Sequence, residues 1–155
     1  MEFQTDSIRL RPATYEDSDF AYGVMKSALG EYIEQTYGWD EAKQREIHNR
    51  RFRPSATWIV VYGGSDIGLL AVDRHPDHIH VRQLFIVPEA QGNGIGSQLM
   101  REIRSESDCC CLPVRLRVLK VNHRARDFYI RHEFSVVGET DTHYQMEYCP
   151  QEKHR

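Results

Sequence analysis

The sequence predicts a mixed α/β fold of about seven strands and about four helices, in the order strand, two helices, three strands, helix, strand, helix, two strands. Three observations carry this prediction. Short apolar stretches bounded by turn residues, such as Thr57 to Tyr62 and Ile67 to Val72, read as strands. Longer stretches repeat apolar residues every three or four positions, as in Phe20, Ala21, Val24, Met25, Ala28 and Leu29, and read as helices. One glycine-rich turn, Val87-Pro88-Glu89-Ala90-Gln91-Gly92-Asn93-Gly94-Ile95-Gly96, joins the apolar run Leu84 to Val87 to the helix-like Ser97 to Arg104.

A chain of 155 residues suffices for one domain with a single core, expected to span 1–155. Hydrophobic residues make up 40% and charged residues 28%, with a net charge of -3, the balance of a globular chain rather than a disordered or membrane-spanning one. Nothing in it points to nucleic acid. Met1 to Leu10 carries acids without an apolar core, and no run approaches the ~18 apolar residues of a membrane helix. No membrane partner and a cytoplasmic address are expected.

In order, Ile8 to Leu10 alternates and stops at Pro12, as a short edge strand does. Thr14 caps a first helix, with Glu16 and Asp17 in its first turn, which Gly30 ends. Glu31 to Trp39 mixes aromatics and acids without a clean period and reads as a loosely held, lid-like segment. Asp40 starts a second, solvent-facing helix ended by Pro54, with Glu41–Arg45 and Glu46–Arg50 spaced for i,i+4 pairs of about 0.3 kcal/mol each. Gly63-Gly64-Ser65-Asp66 marks a hairpin between two strands, and Arg74 to His78 turns into a third, Ile79 to Val87. These three form an antiparallel meander. Ile95, Leu99, Met100 and Ile103 mark the buried face of the next helix. Val114 to Val121 alternates as a strand, Asn122 caps a short helix carrying Ala125, Phe128 and Tyr129, and two strands around Gly138 close the chain.

Cys109, Cys110 and Cys111 are contiguous and Cys149 is remote, so neither a disulfide framework nor a zinc spacing is signalled; partly buried thiols at the start of a strand are expected. His75, His78 and His80 form HxxHxH, but with no carboxylate or cysteine at ligand spacing and the turn pair Pro76-Asp77 between them, no metal is expected.

The glycine turn is the most informative stretch. Glycines at alternate positions let several backbone N–H groups converge on one ligand, and the following helix adds unpaired N–H groups and a positive dipole end, so the ligand should be an anion such as a diphosphate. A dinucleotide fingerprint fails because Ser97 stands where its third glycine belongs, and a P-loop fails for want of Gly-Lys-Ser/Thr. QxxGxG fits, with Gln91, Gly94 and Gly96 and a proline three residues earlier.

This motif resembles the acyl-CoA loop of the GNAT superfamily of N-acyltransferases, and the element order matches that architecture from near residue 5 to near residue 148. The resemblance implies a central, twisted, mostly antiparallel sheet flanked by the helices. It further implies acetyl-CoA as cosubstrate and transfer of the acetyl group to a primary amine by direct attack, without a metal. Leu84, Phe85 and Ile86 correspond to the strand whose main chain pairs with the pantetheine arm, an N–H of Phe85 or Ile86 facing the thioester oxygen. Gln91, Gly92, Asn93, Gly94, Ile95 and Gly96 correspond to the diphosphate loop. Asn122 and Tyr129 match the family's cofactor-side Asn and general-acid Tyr; read alone, they are an ordinary cap and an ordinary core residue. The family's Gly before Phe134 is replaced by Glu133, which suggests a different turn at the helix end. Where relatives carry a Glu on the strand, His80 stands here. His80 and His143 are the candidate bases, with Glu31, Glu34 or a water chain as the remainder. Glu31, Tyr37, Trp39 and Tyr144 lie in the regions that wall the acceptor pocket in relatives, and their rings and acids suit a small cationic amine. Protein α-amines or lysines as acceptors, and a non-catalytic acyl-CoA sensor, are the alternatives. Edge strands could support a homodimer.

Overall fold

The computed structural model describes residues 8–152. It contains a seven-stranded sheet in the order β1-β2-β3-β4-β5-β7-β6 and four helices, the mixed α/β class the sequence predicts. Two compact units divide the described residues: 8–71 with Gln83–Ile95, and Val72–Arg82 with 96–152.

The first unit begins with β1 (Ile8–Pro12), which pairs antiparallel with β2 (Thr57–Tyr62) from Ile8↔Tyr62 to Pro12↔Trp58. β2 pairs antiparallel with β3 (Ser65–Arg74), and the two-residue turn between them has both Gly63 and Gly64 in the left-handed region, φ 58 and 80. That is the hairpin the glycine pair demands. Thr14 opens a single 3-10 turn rather than a helix, its N–H donating to Asp17 Oδ2 at 2.8 Å, and α1 (Ser18–Tyr37) follows.

Two expectations fail here. Gly30 does not stop α1, which runs on to Tyr37 and ends at Gly38, φ 79. One interior glycine costs only about 1 kcal/mol of helix propensity, and half-buried Tyr32, Ile33 and Thr36 beyond it offset that. The segment read as a loose lid is therefore mostly helix. Nor does α2 (Glu41–Arg51) make its two i,i+4 pairs. Glu41 instead accepts from Tyr22 Oη (2.9 Å), Lys26 Nζ (2.8 Å) and Trp39 Nε1 (2.7 Å), and Arg45 pairs with Asp19 at 2.9 Å. On its other side His48 is buried, stacked on Phe52 and edge-on to Tyr22. α2 thus docks on α1 through polar groups that a search for apolar periodicity passes over.

In the second unit β4 (Ile79–Ile86) opens a parallel ladder with β5 (Val114–Leu119) at Ile79↔Val114 and His80↔Arg115. β5 pairs antiparallel with β7 (His143–Tyr148), and β7 with β6 (Ser135–Glu139). α3 (Ile95–Cys110) buries the predicted stripe, Ile95, Leu99, Met100 and Ile103. Its C-terminal end corrects the reading of the cysteines: Cys109 and Cys110 are the last helical residues, Cys111 is left-handed at φ 57, and all are exposed. Ser107 Oγ donates to Leu112 O and so closes this end before Pro113 forces the chain out. α4 (His123–Arg131) ends with Glu133 at φ 69 and Phe134 N bonded to Tyr129 O at 3.0 Å. The helix therefore closes by the left-handed turn after all, with a glutamate in the position glycine usually takes.

Candidate active site

The end of β4 is shaped by a close approach to β3. The β2–β3 register shifts from Val60↔Gly68 to Val61↔Asp66, which leaves Ile67 as a bulge. Ile67 O then accepts from Val87 N at 2.8 Å. A methyl group at Gly68 would overlap the carbonyl oxygen of Phe85 and crowd Ile86, so only glycine permits this approach. Leu84, Phe85 and Ile86 are half-buried, with Phe85 packed on Ala21, Val24 and Leu69.

Beyond Val87 the chain makes a 3-10 turn, Pro88–Ala90, and then the glycine turn. Gly92 and Gly94 are left-handed, φ 84 and 72, exposed, with open space where a Cβ would stand. Both polar side chains of the turn are bonded back onto the main chain: Gln91 Nε2 donates to Ile86 O (2.9 Å) and Asn93 Nδ2 to Ala90 O (3.0 Å). Gln91 thus ties the turn to the last residue of β4, a role its position in the motif did not suggest. Among the described residues no backbone carbonyl accepts from the N–H groups of Gly92 or Gly94. Such a turn leading into a sixteen-residue helix has the form of a main-chain anion site.

Still in the first unit, α1 and the strand end enclose a groove of about 280 Å³, with Phe20, Val24 and Ser27 on one side and Val87, Pro88 and Glu89 on the other. Of the residues expected to wall an acceptor pocket, Glu31 and Tyr37 are exposed on α1. Trp39 is tied to Glu41 and faces Lys26, whose Nζ lies 5.4 Å from the ring centroid.

In the second unit Gly96 lies against Phe128 of α4, a Cβ there falling 3.6 Å from the ring. Asn122 is buried and caps α4, its Oδ1 accepting from Ala125 N at 3.1 Å. Tyr129 is half-buried between Phe128 and Phe134, with ring centroids 5.2 and 5.6 Å away, and desolvation alone pushes its phenol up to about 12. One contact had no sequence signal: His132 Nε2 meets Ser97 Oγ at 3.1 Å and ties the end of α4 to the first turn of α3.

The two candidate bases stand at opposite ends of β5. His80 lies opposite Arg115 near its start; His143 lies opposite Leu119 at its end, three residues before Asn122. Burial lowers both imidazoles, helped for His143 by Arg117, so both stay neutral around neutral pH. His143 Nδ1 is held by Thr142 Oγ1 at 2.8 Å. Next to it Tyr144 has Lys120 and Arg126 over its ring, at 5.4 and 5.5 Å. His80 has different company. The expectation that the histidines lack a carboxylate is overturned, because the turn between β3 and β4 brings Asp73 and His75 to it, with one ligand atom from each of the three within 4.8 Å of the others.

The sequence pattern of the family described as acetyltransferase (GNAT) domain matches residues 53–136. The chain is 32% identical over 89 residues to a probable N-acetyltransferase of Mycobacterium tuberculosis, an alignment covering 55% of this chain and 49% of that protein. The chain therefore spans about half the length of this curated relative. Among solved structures it resembles the PaiA N-acetyltransferase of Thermoplasma acidophilum in complex with coenzyme A, with a TM-score of 0.73 at 16% identity over 92% of this chain and 99% of that one. It also resembles the ribosomal-protein-S18-alanine N-acetyltransferase of Escherichia coli, with a TM-score of 0.67 at 14% identity over 95% of this chain and 96% of that one. At these identities the two structures speak for the fold.

Proposed function

The chain belongs to the GNAT acetyltransferase domain family, and from that premise we propose that it transfers the acetyl group of acetyl-CoA to the primary amine of a small cationic molecule, by direct attack in a ternary complex. The observation that carries this reading is the main-chain cradle of Gly92, Asn93 and Gly94 running into α3. The cradle takes the diphosphate, and the main chain of Leu84, Phe85 and Ile86 takes the pantetheine arm. A neutral amine adds to the thioester carbon, an N–H of Phe85 or Ile86 stabilises the oxyanion, a base takes the proton that the adduct's nitrogen gives up, and collapse expels the CoA thiolate, to which Tyr129 supplies a proton. Positioning the two reactants supplies much of the acceleration.

The base is His143 rather than His80. From His80 to Ile86 is six residues of one strand, roughly 20 Å at 3.3 Å per residue, and the thioester would lie at the far end. His143 sits at the end of β5 from which Asn122 and α4 follow. The groove beside Val87 is the better seat for the acceptor, because Trp39 and Tyr144 already face cations of the chain itself. Its apolar walls and the single carboxylate of Glu89 suit an alkylammonium.

The test is release of CoA from acetyl-CoA with a panel of small diamines and of peptides offering a free α-amine or lysine. Saturable turnover on diamines is expected, with Glu89→Gln raising the amine KM about tenfold and leaving that for acetyl-CoA unchanged. Turnover on peptides alone would replace the acceptor. CoA binding without turnover on any amine would replace the enzyme with a sensor.

A further inference from the structure

The β3–β4 hairpin carries a cluster of ligand-bearing side chains for which the acyl transfer has no use. We propose that Asp73, His75 and His80 bind a borderline divalent transition cation of the Zn²⁺ class. The placement follows from register. His75 N donates to His78 O at 2.9 Å across the turn, which sets His75 opposite His78 and therefore Asp73 opposite His80. Alternate residues of a strand share a face, so Asp73, His75, His78, His80 and Arg82 project on one side of the hairpin. The aspartate that no spacing within HxxHxH supplies comes from the neighbouring strand.

One ligand atom from each of Asp73, His75 and His80 lies within 4.8 Å of the other two, and His80 Nδ1 is 4.0 Å from Asp73 Oδ2. Bonds of about 2.0–2.2 Å in tetrahedral geometry put ligand atoms about 3.3 Å apart. The site therefore closes by a contraction of at most about 1.5 Å, within reach of side-chain rotation at exposed His75. Two imidazoles and a carboxylate leave a fourth position for water. Mixed nitrogen and oxygen donors select Zn²⁺ and its neighbours over Mg²⁺ or Ca²⁺, which require oxygen.

An outer layer already holds these ligands. The His78 ring stacks on His75, with centroids 4.4 Å apart, and its Nδ1 donates to Asp77 Oδ1 at 2.7 Å. Arg82 Nε lies 2.7 Å from Asp73 Oδ2 and fixes the carboxylate as an ion pair. The neighbouring arginines are engaged elsewhere: Arg74 grips Glu106 at 2.8 and 2.7 Å, and Arg115, opposite His80, bonds Glu147 at 2.9 Å. Because Arg82 offsets the charge of Asp73, the affinity belongs in the micromolar class rather than that of structural zinc.

The exposed cysteines could also take Zn²⁺, so the test uses the untagged full chain with Cys109, Cys110, Cys111 and Cys149 replaced by Ser. Calorimetric titration with ZnCl₂ should show one equivalent bound, and Co²⁺ should give a visible d–d band. His75→Ala, at an exposed turn position, and Asp73→Asn should each weaken binding at least about tenfold with the far-UV circular dichroism unchanged. Zn²⁺ affinity unchanged in both variants, or no saturable binding up to about 1 mM, overturns the site.

Discussion

The turn Gln91–Gly96 and the helix α4 gather most of the candidate chemistry, and they are made of opposite materials. In the turn the groups left to act are main chain: Gly92 and Gly94 have no side chain, and Gln91 and Asn93 are bonded back onto Ile86 O and Ala90 O. In α4 the main chain is closed at both ends, by the Asn122 cap and by the left-handed turn at Glu133, and only side chains remain. A site built on backbone tolerates exchange of side chains and fails when a Cβ or a forbidden φ intrudes. A site built on one hydroxyl tolerates local strain and fails when a single atom is removed.

The sharpest way to break this contrast is Tyr129→Phe. The ring stays packed between Phe128 and Phe134 and only the hydroxyl goes. In the proposed reaction kcat falls about 100-fold or more while CoA affinity is unchanged. Desolvation adds a refinement, since a phenol at about 12 stays protonated throughout the working range. It stands well above a thiol of ~8.5, so complete transfer to a solvated thiolate is uphill. Burial of the thiolate raises its own proton affinity and narrows that gap, so the hydroxyl acts first as a hydrogen-bond donor and yields its proton late. The kcat profile should show no fall from tyrosine ionisation up to about pH 11. An unchanged kcat in the variant takes the acid out of α4.

The backbone side of the contrast is probed at Gly68, outside the turn itself. Gly68→Ala drives a methyl group into the Phe85 carbonyl, and the end of β4 must move. A loss of about 1–3 kcal/mol in denaturant unfolding is expected, with weaker CoA binding because the strand proposed to align the pantetheine arm has shifted. Gly92→Ala is the companion: its surroundings are open, and only its φ of 84 is strained, so about 1 kcal/mol is expected. Equal unfolding midpoints for wild type and Gly68→Ala would remove the close approach as a constraint.

The same division explains what was legible in the sequence. Features set by neighbours along the chain could be read: the Gly63-Gly64 hairpin, the buried stripe of α3, the QxxGxG turn and the Asn122 cap. Features set by partners distant in sequence could not. Gly30 looks like a stop until the half-buried residues beyond it are seen, and Glu41 looks like half of a weak helical pair until Tyr22, Lys26 and Trp39 close on it. Asp73 lies outside HxxHxH along the chain, and only the hairpin register sets 73 opposite 80. Glu133 looks unfit for a left-handed turn until the bond from Phe134 N to Tyr129 O and the pairing of its carboxylate with Arg104 are seen to hold it there.

The smallest expected effect concerns His48, which docks α2 on α1. Its Nε2 lies 3.0 Å from both Ser18 Oγ and Ser18 O, and burial lowers its pKa below the usual imidazole value. Between that lowered value and the ~6.5 of the unfolded chain, the unfolded state binds more protons, so stability is full above about pH 6.5 and declines as the pH falls. His80, His132 and His143 are lowered in the same direction and add to the slope. The carboxylates enter later: Asp17, held low by Arg11, and Glu41, held at about 2 chiefly by Lys26, lose their contributions only below about pH 4.5. Melting temperatures measured from pH 7.5 to pH 5 therefore isolate the histidines. His48→Gln, which keeps a polar partner for Ser18, should flatten that slope by a fraction and leave its onset unchanged. Superimposable slopes would mean that His48 does not couple protons to folding and that α2 is held by the contacts of Glu41 instead.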